Sequence, residues 1–379
     1  MSVPVLLGIS GSIAAYKSPD LIRLLVKAGF CVTPILSVNA SKFVSPLSLS
    51  VVSQTETLMQ DHFYSWQMPH LKVLKNAKAF VIAPASASMI AKLNAGMSDD
   101  LLSATWLSFH GPKLIVPAMH EEMWESSLAQ VDHLKRQGVQ VMSPVYGDLA
   151  SGDRGQGRFP DLSLIALRIQ LLRHTPLSFA GQEIVVTLGG TSEPLDKVRV
   201  LTNRSTGKMG SYLAWLAHFY GAKVTVITTC PVLDPGFHRV IQVETAEELH
   251  TQVMSVFPTA DVLIMAAAVS DFTCEKSESK LSRNQGFQLQ LTPTQDILKA
   301  VSVSKKPHQK VVGFCLEDDN LMTVAEEKFK NKKVDVMVAN HSQNIGSEVR
   351  TVCILHQNNA QWLENLPIHD VAYHILKKI

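Results

Sequence analysis

Short apolar runs alternate with helical stretches along the first half of the chain. β-Branched runs predict strands at Val3–Ile9, Phe30–Ser37, Ala79–Ala83 and Lys113–Val116. The pattern between and after these strands predicts helices at Ala14–Ala28, Met89–Leu93 and Leu162–Arg173. Strands that alternate with helices are typical of a parallel sheet with helices on both faces. The first half is therefore expected to be a doubly wound α/β domain.

A second α/β series follows a break in the pattern at Thr175–Gly181, where Pro and Gly occur without hydrophobic periodicity. The series contains predicted strands at Glu183–Leu188, Lys223–Thr228, Val262–Ala266 and Lys333–Ala339, and a predicted helix at Gly210–Tyr220. We therefore predict two Rossmann-like domains with parallel sheets, over residues 1–175 and residues 182–379.

Composition narrows the class of protein. Of 379 residues, 46% are hydrophobic and 18% are charged, which is enough apolar material for full cores. A formal net charge of +2 gives no electrostatic reason to expect nucleic acid or a membrane as a partner. Neither a secretory signal pattern nor a long uncharged apolar run is visible. The five cysteines stand singly without a CxxC pair, which disfavours zinc ribbons and disulfide scaffolds and predicts a cytoplasmic protein.

A first candidate site is the segment Gly8–Ala14, between a strand and a helix. Its small residues let backbone N–H groups and the start of the helix face a phosphate. The second strand ends at Ser37, with Asn39 nearby, and not at the acidic residue that a dinucleotide fold needs for its ribose. This favours a mononucleotide such as FMN over NAD. Pro84–Ser88 could flank the same ligand, although tight turns without a ligand remain the alternative for each loop.

Two further segments have unusual composition. Pro117–Trp124 contains two methionines and a tryptophan after a buried-looking strand. We predict that it is a loop that closes over a flat apolar ligand, with His120 aimed inward. Gly147–Phe159 contains four glycines and two arginines, which suits a mobile flap that clamps an anionic substrate. The alternative is that both are ordinary surface loops.

These segments, with Ala91–Leu102, resemble the homo-oligomeric flavin-containing cysteine decarboxylases, in particular the phosphopantothenoylcysteine decarboxylases. The resemblance implies a flavodoxin-like domain with FMN bound between neighbouring subunits of a trimer. It implies oxidative decarboxylation of a terminal cysteine to an aminoenethiol, followed by reduction to a thiol. It also implies that His70 is the active-site histidine. The positions that match flavin-binding residues are Gly11, Ser12, Ser37, Ser86 and Ser88.

Two positions depart from that family. His120 stands where the family has an asparagine that is expected to hold the substrate carboxylate. Ser151 stands where the family has the flap cysteine that reduces the intermediate, and a serine hydroxyl does not easily replace a thiol. His120 could act as the proton donor in its place. The departures also leave open a flavin-binding regulatory or scaffold protein with an impaired decarboxylase half.

A second candidate site lies in the other half. Asn203–Gly210 precedes a helix and lacks the spacing of a P-loop, but its small residues still suit a phosphate. Ala266–Phe272 follows a strand with small residues that allow close approach of a base or sugar, and Glu275–Arg283 is predicted to be a mobile basic loop. Lys328 and Lys332 are spaced to share one helix face. The alternative for them is a solvated lysine face.

The order of these pieces resembles the phosphopantothenoylcysteine synthetase domain, which uses CTP to activate 4′-phosphopantothenate as an acyl-cytidylate that cysteine then attacks. The resemblance implies that the ligase half is dimeric and the whole chain dodecameric. It implies that Mg²⁺ is bound mostly through the phosphates, with no metal site made by protein side chains. The residues to which it gives roles are Asn203 for the acyl-cytidylate, Asp271 and Phe314 for cytidine, Lys280 in the flexible loop, and Lys328 and Lys332 for the triphosphate.

The prediction is a fused bifunctional enzyme of coenzyme A biosynthesis. It joins cysteine to 4′-phosphopantothenate in its second half and decarboxylates the product in its first. The scaffold protein is the main alternative, because of His120 and Ser151. An NAD-linked dehydrogenase is a weaker alternative, because no acidic residue ends the second strand.

Overall fold

The computed structural model describes residues 2–66, 68–280, 288–357 and 359–379. The chain divides into two compact units, Met1–Pro176 and Leu177–Ile379, and the division lies within the Pro- and Gly-containing break in the sequence pattern. In the predicted basic loop Glu275–Arg283, the last three positions lie outside the described residues.

The first unit is built on a parallel sheet in the order β2-β1-β3-β4-β5. Its strands are β1 Val3–Ile9, β2 Phe30–Leu36, β3 Ala79–Ala85, β4 Lys113–Pro117 and β5 Gln140–Val141. An antiparallel hairpin of β6 Val145–Asp148 and β7 Arg154–Arg158 follows. The helices are α1 Ser18–Lys27, α2 Pro46–Ser53, α3 Pro69–Lys72, α4 Ala87–Ala95, α5 Leu101–Ser108, α6 Glu121–Arg136 and α7 Leu162–Gln170.

The first helix begins later than the sequence pattern predicts. A short 3₁₀ turn covers Ile13–Lys17, and α-helix starts only at Ser18. Pro19 explains the change, because a proline has no N–H to donate and its ring is tolerated only in the first turn of an α-helix. The prediction of one helix over Ala14–Ala28 is wrong in this part.

The segment Pro117–Trp124 is not a loop throughout. Its last four residues form the first turn of α6, and Trp124 is buried in the core among side chains of β3, α4 and α5. Glu121 and Glu122 favour this start, because acidic side chains stabilise the positive end of a helix dipole. Trp124 therefore packs the interior and does not cover a ligand.

The segment Gly147–Phe159 is also more regular than predicted. Residues on both sides of its tip pair as β6 and β7, and the Leu149 N–H donates to the Asp153 carbonyl at 2.8 Å across the turn. Gly152 at the tip has φ +96°, a left-handed conformation that suits glycine. Glycines within β7 hide the alternation by which a strand is usually recognised.

The second unit contains a sheet in the order β12-β11-β8-β13-β16-β17-β18-β19, in which β18 and β19 are antiparallel. Its described strands are β8 Glu183–Leu188, β9 Ser192–Pro194, β10 Val200–Thr202, β11 Lys223–Thr228, β12 Arg239–Gln242, β13 Val262–Met265, β14 Phe272–Cys274, β15 Leu291–Pro293, β16 Lys310–Leu316, β17 Val336–Asn340, β18 Val349–His356 and β19 Asn359–Pro367. Its described helices are α8 Lys208–Phe219, α9 Ala246–Val256, α10 Ile297–Ser304, α11 Leu321–Asn331 and α12 Ile368–Leu376.

Both units have the α/β architecture that the alternation of strands and helices predicts. The core of the second unit packs β13, β16 and β17 against α9, α10 and α11. Strand β17 begins at Val336 and not at Lys333, because Lys333 has φ +49° and belongs to the preceding turn. Among the described residues, no helix is long and apolar enough to cross a membrane.

Candidate functional sites

The loops after β1, β3 and β4 meet at one edge of the first sheet. Strand β1 lies between β2 and β3, and this reversal of strand order is the point at which open α/β sheets generally bind their ligands. The Ser10 hydroxyl donates to the Pro84 carbonyl at 2.9 Å and accepts from the Ser86 N–H at 2.7 Å. The Ser12 hydroxyl donates to the Ala118 carbonyl at 2.9 Å. These bonds join the three loops into what we call the cradle, Ser10–Ser12 with Pro84–Ser88 and Ala118.

The cradle combines a glycine, serine hydroxyls and the start of a helix, which are groups that can bind a phosphate. A Cβ on Gly11 would lie 2.5 Å from the Cβ of Asn39, so glycine is needed where this loop passes the end of β2. Ser37, at that end, accepts from the Ala40 N–H at 3.3 Å. Ser86 caps α4 through the Met89 N–H, and Ser88 is exposed in the first turn of that helix. The residues present therefore fit a phosphate-bearing flavin.

Ser12 is placed differently from the other predicted flavin ligands. It is buried, its hydroxyl is bonded to Ala118 and its N–H donates to the Ser10 carbonyl at 2.8 Å. The hydroxyl and N–H of Ser12 are therefore used in hydrogen bonds that hold the cradle loops together.

His70 is half-buried on the short helix α3. Its ring stands edge-on to Phe63, with centroids 5.5 Å apart, and its Nδ1 is buried without a hydrogen-bond partner in the described structure. Among the described residues, His70 makes no hydrogen bond to the cradle. An unpartnered ring nitrogen is available for proton transfer, so the arrangement permits the predicted role.

His120 and Ser151, the two positions that depart from the decarboxylase family, share one carboxylate. His120 precedes α6, its Nδ1 bonds the Glu122 carboxylate, and its Nε2 lies 3.4 Å from Asp153 Oδ2. The bond to Glu122, and then that to Asp153, raises the pKa of His120. The Ser151 hydroxyl, and then His120, lowers the pKa of Asp153. The two carboxylates therefore hold the His120 ring toward the hairpin tip and favour its protonated, positively charged form.

Glu122 and Asp153 were missed by reasoning from sequence. Asp153 reaches His120 across a turn and a gap of 33 residues, a proximity that no local spacing reveals. Glu122 could have been found, since a carboxylate two residues after a histidine at a helix start can reach its ring.

Replacing Glu122 by glutamine is expected to lower the pKa of His120 toward its ordinary value near 6.5. Because the folded-state pKa is raised, the stabilisation from these pairs is complete below about pH 6.5 and is lost as pH rises through the folded value. Histidine NMR titrations of the original chain and the variant measure both midpoints. Glu125→Gln is the control, since Glu125 is exposed on the same helix. Equal midpoints in all three proteins would contradict the assignment.

The hairpin is fastened to the start of α6 at two points. The Met119 N–H donates to the Gly157 carbonyl at 3.1 Å, and Glu121 Oε1 accepts from the Gln156 N–H at 2.8 Å. A Cβ on Gly157 would lie 2.1 Å from the Met119 carbonyl oxygen, so only glycine allows this contact. These contacts set the position of the hairpin tip relative to His120.

The second unit has a cavity of about 830 Å³, which we call the Asn203 cavity. Five of the predicted residues line it, namely Asn203, Asp271, Phe314, Lys328 and Lys332. Asn203 Nδ2 donates to the Val269 carbonyl at 3.0 Å, which joins the segments before α8 and after β13. Lys280 is exposed, is not part of the lining, and adjoins residues 281–287, which lie outside the described residues.

Acidic side chains accompany the cavity lysines. Lys328 Nζ lies 2.7 Å from Glu317 Oε1, and Lys332 Nζ bonds Asp296. Burial is the largest single influence on Lys328 and lowers its pKa, but the bond to Glu317 together with the charges of Glu317 and Cys315 raises the pKa overall. A further cation in the lining, Arg350, was missed, because nothing in the sequence shows that this strand residue is buried.

Comparison with known proteins assigns each unit to a domain class. Residues 1–172 match the family model described as flavoprotein. Residues 179–379 match the model described as DNA/pantothenate metabolism flavoprotein C-terminal domain. The chain is thus a flavoprotein domain fused to a pantothenate-metabolism domain.

Whole-chain relatives are more specific. The chain is 37% identical to the coenzyme A biosynthesis bifunctional protein CoaBC of Mycobacterium tuberculosis (strain ATCC 25618 / H37Rv), over 89% of this chain and 85% of the relative. It is 34% identical to the Bacillus subtilis (strain 168) protein of the same name, over 99% and 96% of the two chains. A solved C-terminal domain of CoaBC matches at 31% identity with a TM-score of 0.45, over 52% of this chain and 93% of the other. The chain belongs to the family of bifunctional coenzyme A biosynthesis proteins.

Proposed function

We propose that the chain performs two consecutive steps of coenzyme A biosynthesis. Its second unit joins cysteine to 4′-phosphopantothenate with CTP, through an acyl-cytidylate. Its first unit decarboxylates the resulting 4′-phosphopantothenoylcysteine to 4′-phosphopantetheine with FMN. The relatives support this over the scaffold alternative, because they are named as bifunctional biosynthetic proteins along most of this chain.

The cradle is proposed to hold FMN, with its phosphate at the backbone of Gly11 and the start of α4, near Ser37, Ser86 and Ser88. When bound, the flavin would accept two electrons from the cysteine thiol end of the substrate and would return two electrons in the later reduction. His70 is proposed to handle the accompanying proton through its unpartnered Nδ1. His120, whose Nε2 contacts Asp153 at the hairpin tip, is proposed to be available as a proton donor in place of the family's flap cysteine.

The Asn203 cavity is proposed to bind CTP and the acyl substrate. Asp271 and Phe314 would hold the cytidine, and Lys328 and Lys332 the triphosphate, whose charge they offset as pyrophosphate leaves. Asn203 would contact the acyl-cytidylate, and Lys280 would approach over the cavity. Mg²⁺ would be bound largely by phosphate oxygens. We further propose a trimeric flavin half and a dimeric ligase half, which combine in a dodecamer.

One observation carries the ligase proposal. The Gly- and Ser-containing backbone before α8, the small residues after β13 and the two lysines Lys328 and Lys332 line a single cavity. The test uses the purified full chain. Pyrophosphate release is expected to require both CTP and phosphopantothenate, and CMP release to require cysteine in addition. Turnover with ATP as fast as with CTP would contradict the cytidine assignment of Asp271 and Phe314.

Lys328→Gln is expected to raise the KM for CTP roughly tenfold to a hundredfold, because it removes a charge-assisted bond to phosphate of about 1.5–3 kcal/mol. Steady-state pyrophosphate release at varied CTP measures the change. Lys330→Gln is the matched control, since Lys330 is on α11 but exposed and outside the lining. If both variants change the KM equally, general charge and not a specific contact is responsible.

A further inference from the structure

Arg350 is a buried cation in the wall of the Asn203 cavity. It lies on β18, beside an irregularity in the pairing with β19, and is only 9% exposed. Its Nε is buried and has no hydrogen-bond partner in the described structure. Burial lowers the pKa of Arg350 from its ordinary value, but a guanidinium keeps its charge in proteins. A full positive charge therefore faces the cavity.

Among the described residues, no carboxylate is bonded to Arg350 to balance this charge. Glu348 favours the charged form of Arg350 from a distance, but its carboxylate is bonded to Lys208 Nζ. Within the part of the chain that the structure describes, Arg350 forms no ion pair with a carboxylate. An unpaired buried charge is costly to the folded state, and an anionic ligand in the cavity would offset that cost.

The two lysines proposed for the triphosphate differ in this respect. Lys328 and Lys332 already bond Glu317 and Asp296, so their charges are partly balanced before any ligand arrives. Among the described residues, Arg350 has no such partner. Lys208, at the start of α8 in the same lining, is already bonded to Glu348. Arg350 is therefore a buried cation of the lining whose charge the described carboxylates leave unpaired.

We propose that Arg350 binds a phosphate group of a substrate in the Asn203 cavity. The proposal rests on the proposed ligase function, which supplies two phosphate-bearing substrates, the acyl phosphomonoester and the nucleoside triphosphate. The planar fork of a guanidinium matches two phosphate oxygens at once, which a lysine does not. Arg350 is thus a specificity residue that selects the phosphorylated form of its substrate.

Calorimetric titration of the full chain tests the proposal with three separate probes: CTP, 4′-phosphopantothenate and unphosphorylated pantothenate. In Arg350→Gln, the affinity for one phosphate-bearing probe is expected to fall roughly tenfold to a hundredfold, as for loss of a charge-assisted bond. Pantothenate affinity stays unchanged. If only the affinity for CTP falls, Arg350 binds the triphosphate. If only the affinity for 4′-phosphopantothenate falls, Arg350 binds the phosphomonoester. Arg350→Lys is expected to restore part of the loss.

Thermal unfolding without ligand separates binding from folding. Because Arg350 is buried without a counter-ion, the Tm of Arg350→Gln is expected to equal or exceed that of the original chain. Arg239→Gln is the control, since Arg239 is exposed on β12. The proposal is overturned if the affinity for both phosphate probes is unchanged. It is also overturned if the Tm falls and the affinity for all three probes falls equally. An original chain that binds neither phosphate probe would instead remove the ligase function itself.

Discussion

Ser151→Cys is expected to raise the yield of phosphopantetheine roughly a hundredfold, the lower range of what a positioned proton donor contributes to rate. The structure places Ser151 against Asp153, whose negative charge would raise the pKa of a thiol at this position and keep it protonated. A protonated thiol is the form that can donate. Mass spectrometry of the products, with the unreduced aminoenethiol as the second species, measures the change.

Three comparisons sharpen this experiment. His120→Asn alone is expected to do less, because it restores carboxylate binding without supplying a donor. The double variant is expected to be non-additive, since both side chains contact Asp153. Ser163→Cys is the control, because Ser163 is also an exposed serine bonded to an aspartate two residues away, outside the hairpin. Clean phosphopantetheine from the original chain, at a rate that Ser151→Cys does not improve, would leave His120 or water as the donor.

Gly157→Ala is expected to reduce decarboxylation at least about a hundredfold, because a misplacement of about 1 Å near reacting groups costs this much. The new Cβ would lie 2.1 Å from the Met119 carbonyl oxygen, so backbone must move and the Gly157–Met119 bond must break. The hairpin tip then leaves His120. Phosphopantetheine production from supplied phosphopantothenoylcysteine measures the loss, and pyrophosphate release by the second unit should remain.

Gly147→Ala is the matched control in the same hairpin. There the added Cβ would meet only the side chain of Arg158, which can turn away. If Gly147→Ala abolishes decarboxylation as fully as Gly157→Ala, the loss reflects general damage to the hairpin. If Gly157→Ala keeps full activity, the contact with Met119 does not position the tip.

Strands β1, β8 and β11 were predicted at their observed bounds, because buried parallel strands are continuous apolar runs. Strands β16, β18 and β19 of the second sheet were not predicted. The helix starts were harder. Pro19 delays α1, and the acid pair Glu121–Glu122 starts α6 inside a segment whose apolar residues indicate a ligand-covering loop. In each case a residue at the helix start set the boundary, and the hydrophobic periodicity of the segment does not show it.

The candidate sites divide in a similar way. Residues in loops at strand ends, such as Gly11 and Asn203, could be proposed from sequence because parallel strands bring those ends together. Asp153 and Arg350 could not. The first depends on the fold of a hairpin back onto α6, and the second on the burial of one charged side chain in an antiparallel strand. Both are tertiary facts without a local pattern.

The fastening of the hairpin has a mechanical consequence. The root of the hairpin is held to the start of α6 at Gln156 and Gly157, while its tip, Leu149–Asp153, projects beyond these two points. The arm from Gly157 to Asp153 is about 14 Å long at roughly 3.4 Å per residue, so a rotation of about 10° at the root displaces the tip by about 2.4 Å. Such a displacement is enough to make or break the contact between Asp153 and His120. Backbone angles at Gln156 and Gly157 would therefore control how often the hairpin tip contacts His120.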